Sequence, residues 1–296
     1  MFDDLFRERG LSLERLQAFV AVADAGSITK ASRGDPVRQS QLSRQLSELE
    51  SFFGRALTEK LRGRRVLSAD GARLAEHVRW ALAGLLDFKR GRPDGGGAPL
   101  TLAAGDSILS WLVIPRIARV PSRFAVVALP AHDVVTALLE GRVDLGIVRR
   151  DAKVKALESR PVGKIEHALF VPRALVQRGV AEADVAFRVP LAVQVADRDF
   201  MTAASVAARK RGEPLDVRLS CETFNHVLSA VKSGRFAGLL PTFARAELPK
   251  VRFREVVFPS RHASAIALAW SPALLRARPA VRETIDTLVE VLQSSK

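Results

Sequence analysis

Residues 16–32 read LQAFVAVADAGSITKAS and residues 39–54 read QSQLSRQLSELESFFG. Leu13, Leu16, Phe19, Val20 and Ala23 recur at helical spacing and make one apolar face. Gly26-Ser27 ends that helix, and the Ser27 hydroxyl is placed to cap a short helix running to Ser32. Gly34-Asp35-Pro36 then makes a turn. The next helix is expected from about Gln39 to Phe53, with Leu42, Leu46, Leu49 and Phe53 on its inner face. Two short helices joined by a tight turn form a helix-turn-helix pattern.

Working outward from that pattern, the polar face acquires a chemistry. With the leucines inward, Ser40, Gln41, Arg44 and Gln45 fall outward, with Arg38 and Gln39 just ahead of them. The N-terminal part of the second helix is what enters a major groove in such motifs. Gln pairs bidentately with adenine, and Arg with guanine O6 and N7. Ser27, Thr29 and Lys30 stand where phosphate contacts are expected. Arg62, Arg64 and Arg65 flank Gly63 and would form a basic wing along the backbone or minor groove. Taken singly, each of these residues also fits a solvated helix face or a soluble loop.

The chain has 296 residues, 48% hydrophobic and 26% charged, enough for one to three soluble domains. Its formal charge is +14. Such a surplus suits a polyanionic partner. The same surplus follows from composition alone, since 36 of the 46 cations are Arg and there is no Tyr. Residues 1–92 hold 17 cations against 12 anions, a surplus of five, so the remaining nine lie elsewhere. Charge therefore does not locate a site. The single Cys221 excludes a disulfide framework and a cysteine metal cluster. MFDDLFRERG lacks a signal-length apolar core, and no run approaches the roughly 18–20 apolar residues of a membrane span. A cytoplasmic, reduced protein with no membrane association and no cofactor is expected.

Gly91-Arg92-Pro93-Asp94-Gly95-Gly96-Gly97-Ala98-Pro99 is a break in the chain. Ahead of it, Leu74, Val78, Ala81, Leu82 and Leu85 lie along a helix from Ala69 to about Arg90, a stripe of roughly heptad spacing that suits a dimer interface. Beyond it, strand Leu100–Ala104, helix Ser110–Val120, strand Phe124–Leu129, helix Asp133–Leu139 and strand Val143–Val148 read as an α/β layer with parallel strands. The pattern resumes at Ala168–Val171, Leu191–Val195, Val217–Leu219, Val227–Lys232 and Ala237–Leu240. A strand at Ala263–Trp270 and an amphipathic helix at Ala280–Leu292 close the chain. A two-lobed α/β fold binds small ligands at the carboxyl ends of its strands. Asp106-Ser107-Ile108 opens a helix there, so Ser107, Ile108 and backbone amides could hold an anion. His132, Arg149, Asp197, Thr223 and Phe224 stand at other strand ends. The guanidinium of Arg149 suits a carboxylate. Each could equally be a loop residue in solvent; Trp111 reads as core.

Residues 16–32 resemble the opening of the LysR-type transcriptional regulators. Residues 39–46, with Leu49-Glu50 and Gly54, are similar to that family's recognition helix. Residues 63–71 (GRRVLSADG) resemble its wing, and residues 139–147 (LEGRVDLGI) and 231–241 (VKSGRFAGLLP) resemble landmarks of its effector domain. The resemblance implies a winged helix-turn-helix over 1–68, a dimerising linker helix over 69–92, a flexible linker over 93–97 and an effector domain over 98–296. That domain would be two-lobed, α/β and like periplasmic binding proteins, with lobe I at about 98–162 and 263–296 and lobe II at about 163–262. It implies a hydroxyl residue at position 107 that meets an effector carboxylate. The implied partners are double-stranded DNA with a pseudo-palindromic operator, a small-molecule effector, further copies as a homodimer or homotetramer, and RNA polymerase. Two positions depart from the family. Asp35 stands where an apolar residue is usual, and Arg38 where a small hydroxyl residue would cap the recognition helix; Asp35 is the candidate to cap in its place.

The alternative is a small-molecule-binding α/β protein or an enzyme with a degenerate DNA-binding head. It has little behind it: His77, His132, His167, His226 and His262 are scattered, and Cys221 with His226 has no third group to orient the imidazole. Gly95-Gly96-Gly97 precedes the first strand and is no phosphate loop. A periplasmic solute-binding protein would have no use for residues 11–71.

Overall fold

The computed structural model describes residues 3–7, 9–61, 64–90, 98–150, 154–176, 179–195, 198–256 and 263–294. The N-terminal unit holds α1 (Asp4–Arg7), α2 (Leu13–Ala25), α3 (Ile28–Ala31) and α4 (Pro36–Phe53). A two-stranded antiparallel ribbon follows, β1 (Thr58–Leu61) with β2 (Arg64–Leu67), and then the long α5 (Ala69–Arg90). Phe19, Ala23, Leu46, Leu49, Leu57 and Ala75 form its core. Each large apolar side chain buried there contributes about 1.5–3 kcal/mol. Glu50 fastens the ribbon to α4: its Oε1 accepts from Leu57 N (2.9 Å), Thr58 N (3.1 Å) and Thr58 Oγ1 (3.1 Å). Gly71 lies so close under Leu57 that an added Cβ would stand 2.0 Å from the Leu57 carbonyl oxygen. Only glycine lets α5 begin there.

The first sheet of the C-terminal part follows β3 (Leu100–Ala104), a helical run, β4 (Phe124–Ala128), α8 (Ala131–Leu139), β5 (Leu145–Arg149) and β6 (Glu158–Ile165). The helical run comprises α6 (Asp106–Ile108), a π-helical stretch Leu109–Val113 and α7 (Ile114–Ile117). It starts four residues ahead of the expected Ser110. The chain then crosses at Glu166 into a second sheet, with β7 (His167–Pro172), β8 (Leu191–Gln194), α9 (Arg198–Arg211), β9 (Val217–Cys221), α10 (Phe224–Lys232), β10 (Ala237–Pro241) and β11 (Phe253–Val256). It returns through β12 (Ser264–Trp270), α11 (Pro272–Ala277) and α12 (Val281–Gln293).

The strand orders are β4-β3-β5-β12-β6 and β11-β7-β10-β8-β9. The expected parallel core is present in β4-β3-β5. Neither sheet is wholly parallel, because β12 runs antiparallel to β5 and β6, and β7 runs antiparallel to β10 and β11. Strands β6 and β11 and helices α9 and α11 were not anticipated. The Gly-rich break at 91–97 lies outside the described residues. No helix among the described residues is long and apolar enough to cross a membrane.

Helix α5 joins two cores. Ala75 packs in the N-terminal core, and Trp80, just over one turn on, is buried in the core of the first sheet. Arg79 holds the junction: it donates to Asp24 of α2 (3.1 and 2.7 Å) and to the carbonyl of Glu140 at the end of α8 (2.5 Å). Further along, Arg278 is buried with a bidentate grip on Asp87, at 2.5 and 3.1 Å, and donates to Ala98 O at 2.7 Å. Asp144 stands 3.6 Å from Arg278 and accepts from Thr101 N at 2.6 Å. Burial pushes the Asp144 carboxyl up, against the Thr101 N–H and Arg278, which hold it down.

Candidate functional site

Helix α4 begins three residues earlier than the leucine spacing suggests. Asp35 is in extended backbone, and its Oδ1 accepts from Val37 N at 2.9 Å and Arg38 N at 3.3 Å. Pro36 fills the first helical position, where its missing N–H costs nothing. Arg38 is therefore a residue of the first turn, and the missing hydroxyl cap is replaced by a carboxylate three positions back. Arg33 and Gly34, both left-handed (φ 53° and 80°), carry the chain from α3 into Asp35. Gly54 closes the other end at φ 61°, accessible to glycine without cost.

Leu42, Leu46 and Leu49 face the core as expected. On the outer face Pro36, Val37, Ser40, Gln41 and Arg44 line an open groove of about 420 Å³. Arg38, Gln39, Ser40, Gln41 and Arg44 are exposed, whereas Gln45 is half-buried. Arg44 is drawn back along the helix, with Nε 3.1 Å from Glu48 Oε1, while Arg15 takes the other Glu48 oxygen at 2.5 Å. The Arg44 guanidinium, ahead of Arg15, holds the Glu48 carboxyl below the usual carboxylate range.

Ser27 caps α3, accepting from Lys30 N at 3.2 Å, so its hydroxyl has a local structural task. Thr29 and Lys30 are exposed beside it. Arg65 on β2 leans toward Glu50 Oε2 at 3.9 Å. Arg64 lies on β2 opposite Leu61, and Arg62 lies outside the described residues.

In the C-terminal part the two sheets meet where α10 stands against the first turn after β3. Ser107 is half-buried in the first turn after β3. Its neighbours do the bridging: Asn225 Nδ2, in the first turn of α10, donates to Asp106 Oδ2 and to Ser110 Oγ (3.3 Å). The sequence reading missed Asn225 and Ser110 and gave Asp106 no role. The available signal was that Asp106 and Asn225 occupy equivalent places, just past a strand end in each half. Ile108 is turned into the core of the first sheet. Thr223 caps α10, accepting from His226 N at 3.2 Å. Phe224 packs on the core of the second sheet, its ring 5.6 Å from that of His167. Those three have packing or capping tasks that the strand-end position alone did not reveal.

His132 and Arg149 are exposed at the carboxyl ends of β4 and β5, on the same edge of the first sheet as Ser107. His132 Nε2 is 3.3 Å from Asp133. Asp197 lies outside the described residues. Trp111 is core, as read, but in the core of the opposite half: it inserts among Phe170, Val227 and Leu240. Phe243 packs against both cores, so the two halves share an aromatic contact. Burial raises the Cys221 thiol, which suits a packed thiol rather than a nucleophile. Among the described residues no group of three His, Cys, Asp or Glu side chains could hold a metal.

Residues 13–72 match the model for the bacterial regulatory helix-turn-helix protein, lysR family, and residues 93–293 match the LysR substrate binding domain. The regulator CfxR of Cupriavidus necator is 36% identical over 83 residues, 28% of this chain and 26% of that protein. The regulator YfiE of Escherichia coli is 28% identical over 165 residues, covering 52% of this chain and 55% of its own length. The chain thus spans about a quarter to just over half of these curated relatives. Among solved structures, ArgP from Mycobacterium tuberculosis superposes with a TM-score of 0.67 at 17% identity, over 96% of this chain and 98% of that one. A full-length OxyR variant from Pseudomonas aeruginosa gives 0.66 at 18% identity, over 97% and 96%. At such identities the likeness shows the fold. The two family models together cover the helix-turn-helix and both sheets, and the chain belongs to the LysR family of bacterial helix-turn-helix regulators.

Proposed function

We propose that this protein is a DNA-binding transcriptional regulator, rather than an enzyme, whose promoter binding responds to a small molecule in the cleft of its C-terminal domain. The observation that carries the reading is the outer face of α4. Ser40, Gln41 and Arg44 stand exposed on a helix whose inner leucines are locked into a core. Gln41 would read adenine and Arg44 guanine. Thr29, Lys30, Arg38 and the arginines of the β1–β2 ribbon would hold phosphates.

A pseudo-palindromic operator needs two heads. The expected stripe of α5 divides: Val78 is buried and Leu74 packs on the N-terminal core, whereas Ala81, Leu85 and Phe88 follow i, i+4, i+7 spacing, with Leu85 and Phe88 55% and 89% exposed. A second copy covering that stripe makes a dimer. The exposed valines of edge strands β4 and β9 (Val126, Val127 and Val217) offer a further apolar surface for a tetramer. RNA polymerase is the partner such a regulator would engage from a promoter.

The effector would enter between α6 and α10 and compete with the Asn225–Asp106 bridge. Ser107 and Arg149 favour a carboxylate; Asp106 in the same turn makes amine-bearing molecules the comparison series. Because α5 is tied to the first sheet by Trp80, Arg79 and Asp87, a rearrangement of the cleft shifts the population of head placements. The test is duplex binding to the protein's own upstream region, with Gln41→Ala and Arg44→Ala beside the parent. Arg44→Ala should weaken binding by about 1–3 kcal/mol and relax the preference for guanine at one position. If all three bind alike at physiological salt, α4 does not read DNA. Thermal shifts against carboxylates, with Ser107→Ala as control, test the cleft; a ligand that stabilises both proteins equally removes Ser107 from the site.

A further inference from the structure

Val37 is an apolar side chain that the fold leaves 68% exposed on the working face of α4. Its exposure follows from the Asp35 cap. Had the helix begun near Gln39, residue 37 would lie in the turn. With Asp35 capping and Pro36 at the first position, residue 37 becomes helical and joins the outer stripe. Val37, Gln41 and Arg44 then stand at i, i+4 and i+7, the same face of one helix. Pro36 and Ser40 complete the groove they line. The surroundings carry a cationic surplus: Lys30, Arg33, Arg38 and Arg44 are all exposed around this tip, against the Asp35 carboxylate that caps the helix and the Glu48 paired with Arg44.

An apolar group at the leading end of a basic, amide-bearing face matches one feature of duplex DNA. The major-groove edge of thymine carries a C5-methyl group, and apolar side chains are its natural contact. No other base carries a methyl group there. We propose that Val37 is a specificity-determining residue that packs against a thymine methyl in the major groove, at a base pair distinct from those reached by Gln41 and Arg44. The assignment rests on the DNA-binding reading above. It adds to that reading a position at which the operator is read by shape and apolarity rather than by hydrogen bonds.

The probe is a set of duplexes selected by the full-length protein from a random library. In the tightest one, each dT is replaced in turn by deoxyuridine, which keeps every hydrogen-bonding group and lacks only the methyl. The parent should lose about fourfold in affinity at one symmetry-related position per half-site, the worth of one buried methyl-sized group. Val37→Ala should be insensitive to that replacement while keeping its preferences at the other positions. Val37→Thr, of nearly the same shape, should retain part of the methyl discrimination and guards against a folding artefact. Parent binding that ignores every methyl, or a Val37→Ala variant as methyl-sensitive as the parent, overturns the assignment. Failure of the parent to select any duplex overturns the DNA-binding reading first, and this assignment with it.

Discussion

Replacing Arg278 by Met should undock the linker helix from the first sheet, with a pH signature that a simple packing defect lacks. The side chain of Arg278 is 3% exposed, with Asp87 and Asp144 at 22% and 11%. Removing the cation leaves two carboxylates in a poorly hydrated site, and losing one partner of such a buried group costs about 3–5 kcal/mol. Met fills most of the volume, so the loss reports charge rather than a cavity. Asp144 already has its proton affinity raised in the folded protein by burial. Without Arg278 it should rise further.

An acid whose folded pKa exceeds its unfolded value, about 3.9 for Asp, stabilises the fold relative to higher pH and loses that contribution as pH climbs through the folded pKa. The deficit of the variant should therefore be small near pH 4 and grow toward pH 8. A chain with several cores need not unfold in one step, so amide hydrogen exchange along Trp80–Lys89 is the appropriate assay. Asp87→Asn combined with Arg278→Met should cost less than the sum of the two changes, because the pair acts as a unit. A loss below about 1 kcal/mol, or one that does not change between pH 4 and pH 8, would refute the argument that charge holds this joint.

Other consequences are simpler to read. Asp35→Ala removes the cap of α4 and should cost about 1 kcal/mol, with faster exchange at Val37 and Arg38 and weaker duplex binding; Asp35→Ser should recover most of both. Gly71→Ala forces a methyl onto the Leu57 carbonyl and should destabilise the N-terminal unit by about 1–3 kcal/mol or more in urea titrations, leaving the C-terminal sheets unaffected. Glu48→Gln releases Arg44 from its i,i+4 partner and should raise duplex affinity about twofold at low salt. That gain should disappear on lowering the pH past the depressed pKa of Glu48, where the parent carboxyl is protonated too.

The helix-turn-helix was readable because its determinants are local. Leu42, Leu46 and Leu49 lie within two turns of one another, and Ser27 caps α3 by accepting from an amide three residues on. The start of α4 was misplaced because a leucine stripe reports only the buried face, whereas the first turn is set by a carboxylate that folds back on Val37 and Arg38. The parallel strands β3, β4 and β5 were readable for the same reason, each alternating with a helix. Strand β6 was not, since its pattern follows from lying antiparallel beside β12, a hundred residues further on.

The candidate sites divide along the same line. The sequence by itself determined which residue types crown α4 and which polar residues stand at the strand ends. Only the tertiary structure decided what those residues are free to do. Asn225 meets Asp106 across 119 positions, Arg278 meets Asp87 across 191, and Trp111 fills the core of the opposite half. Short-range periodicity encodes which face of an element is buried. Which elements meet is set by competition among all the buried faces and charges at once, and no window of sequence contains that competition.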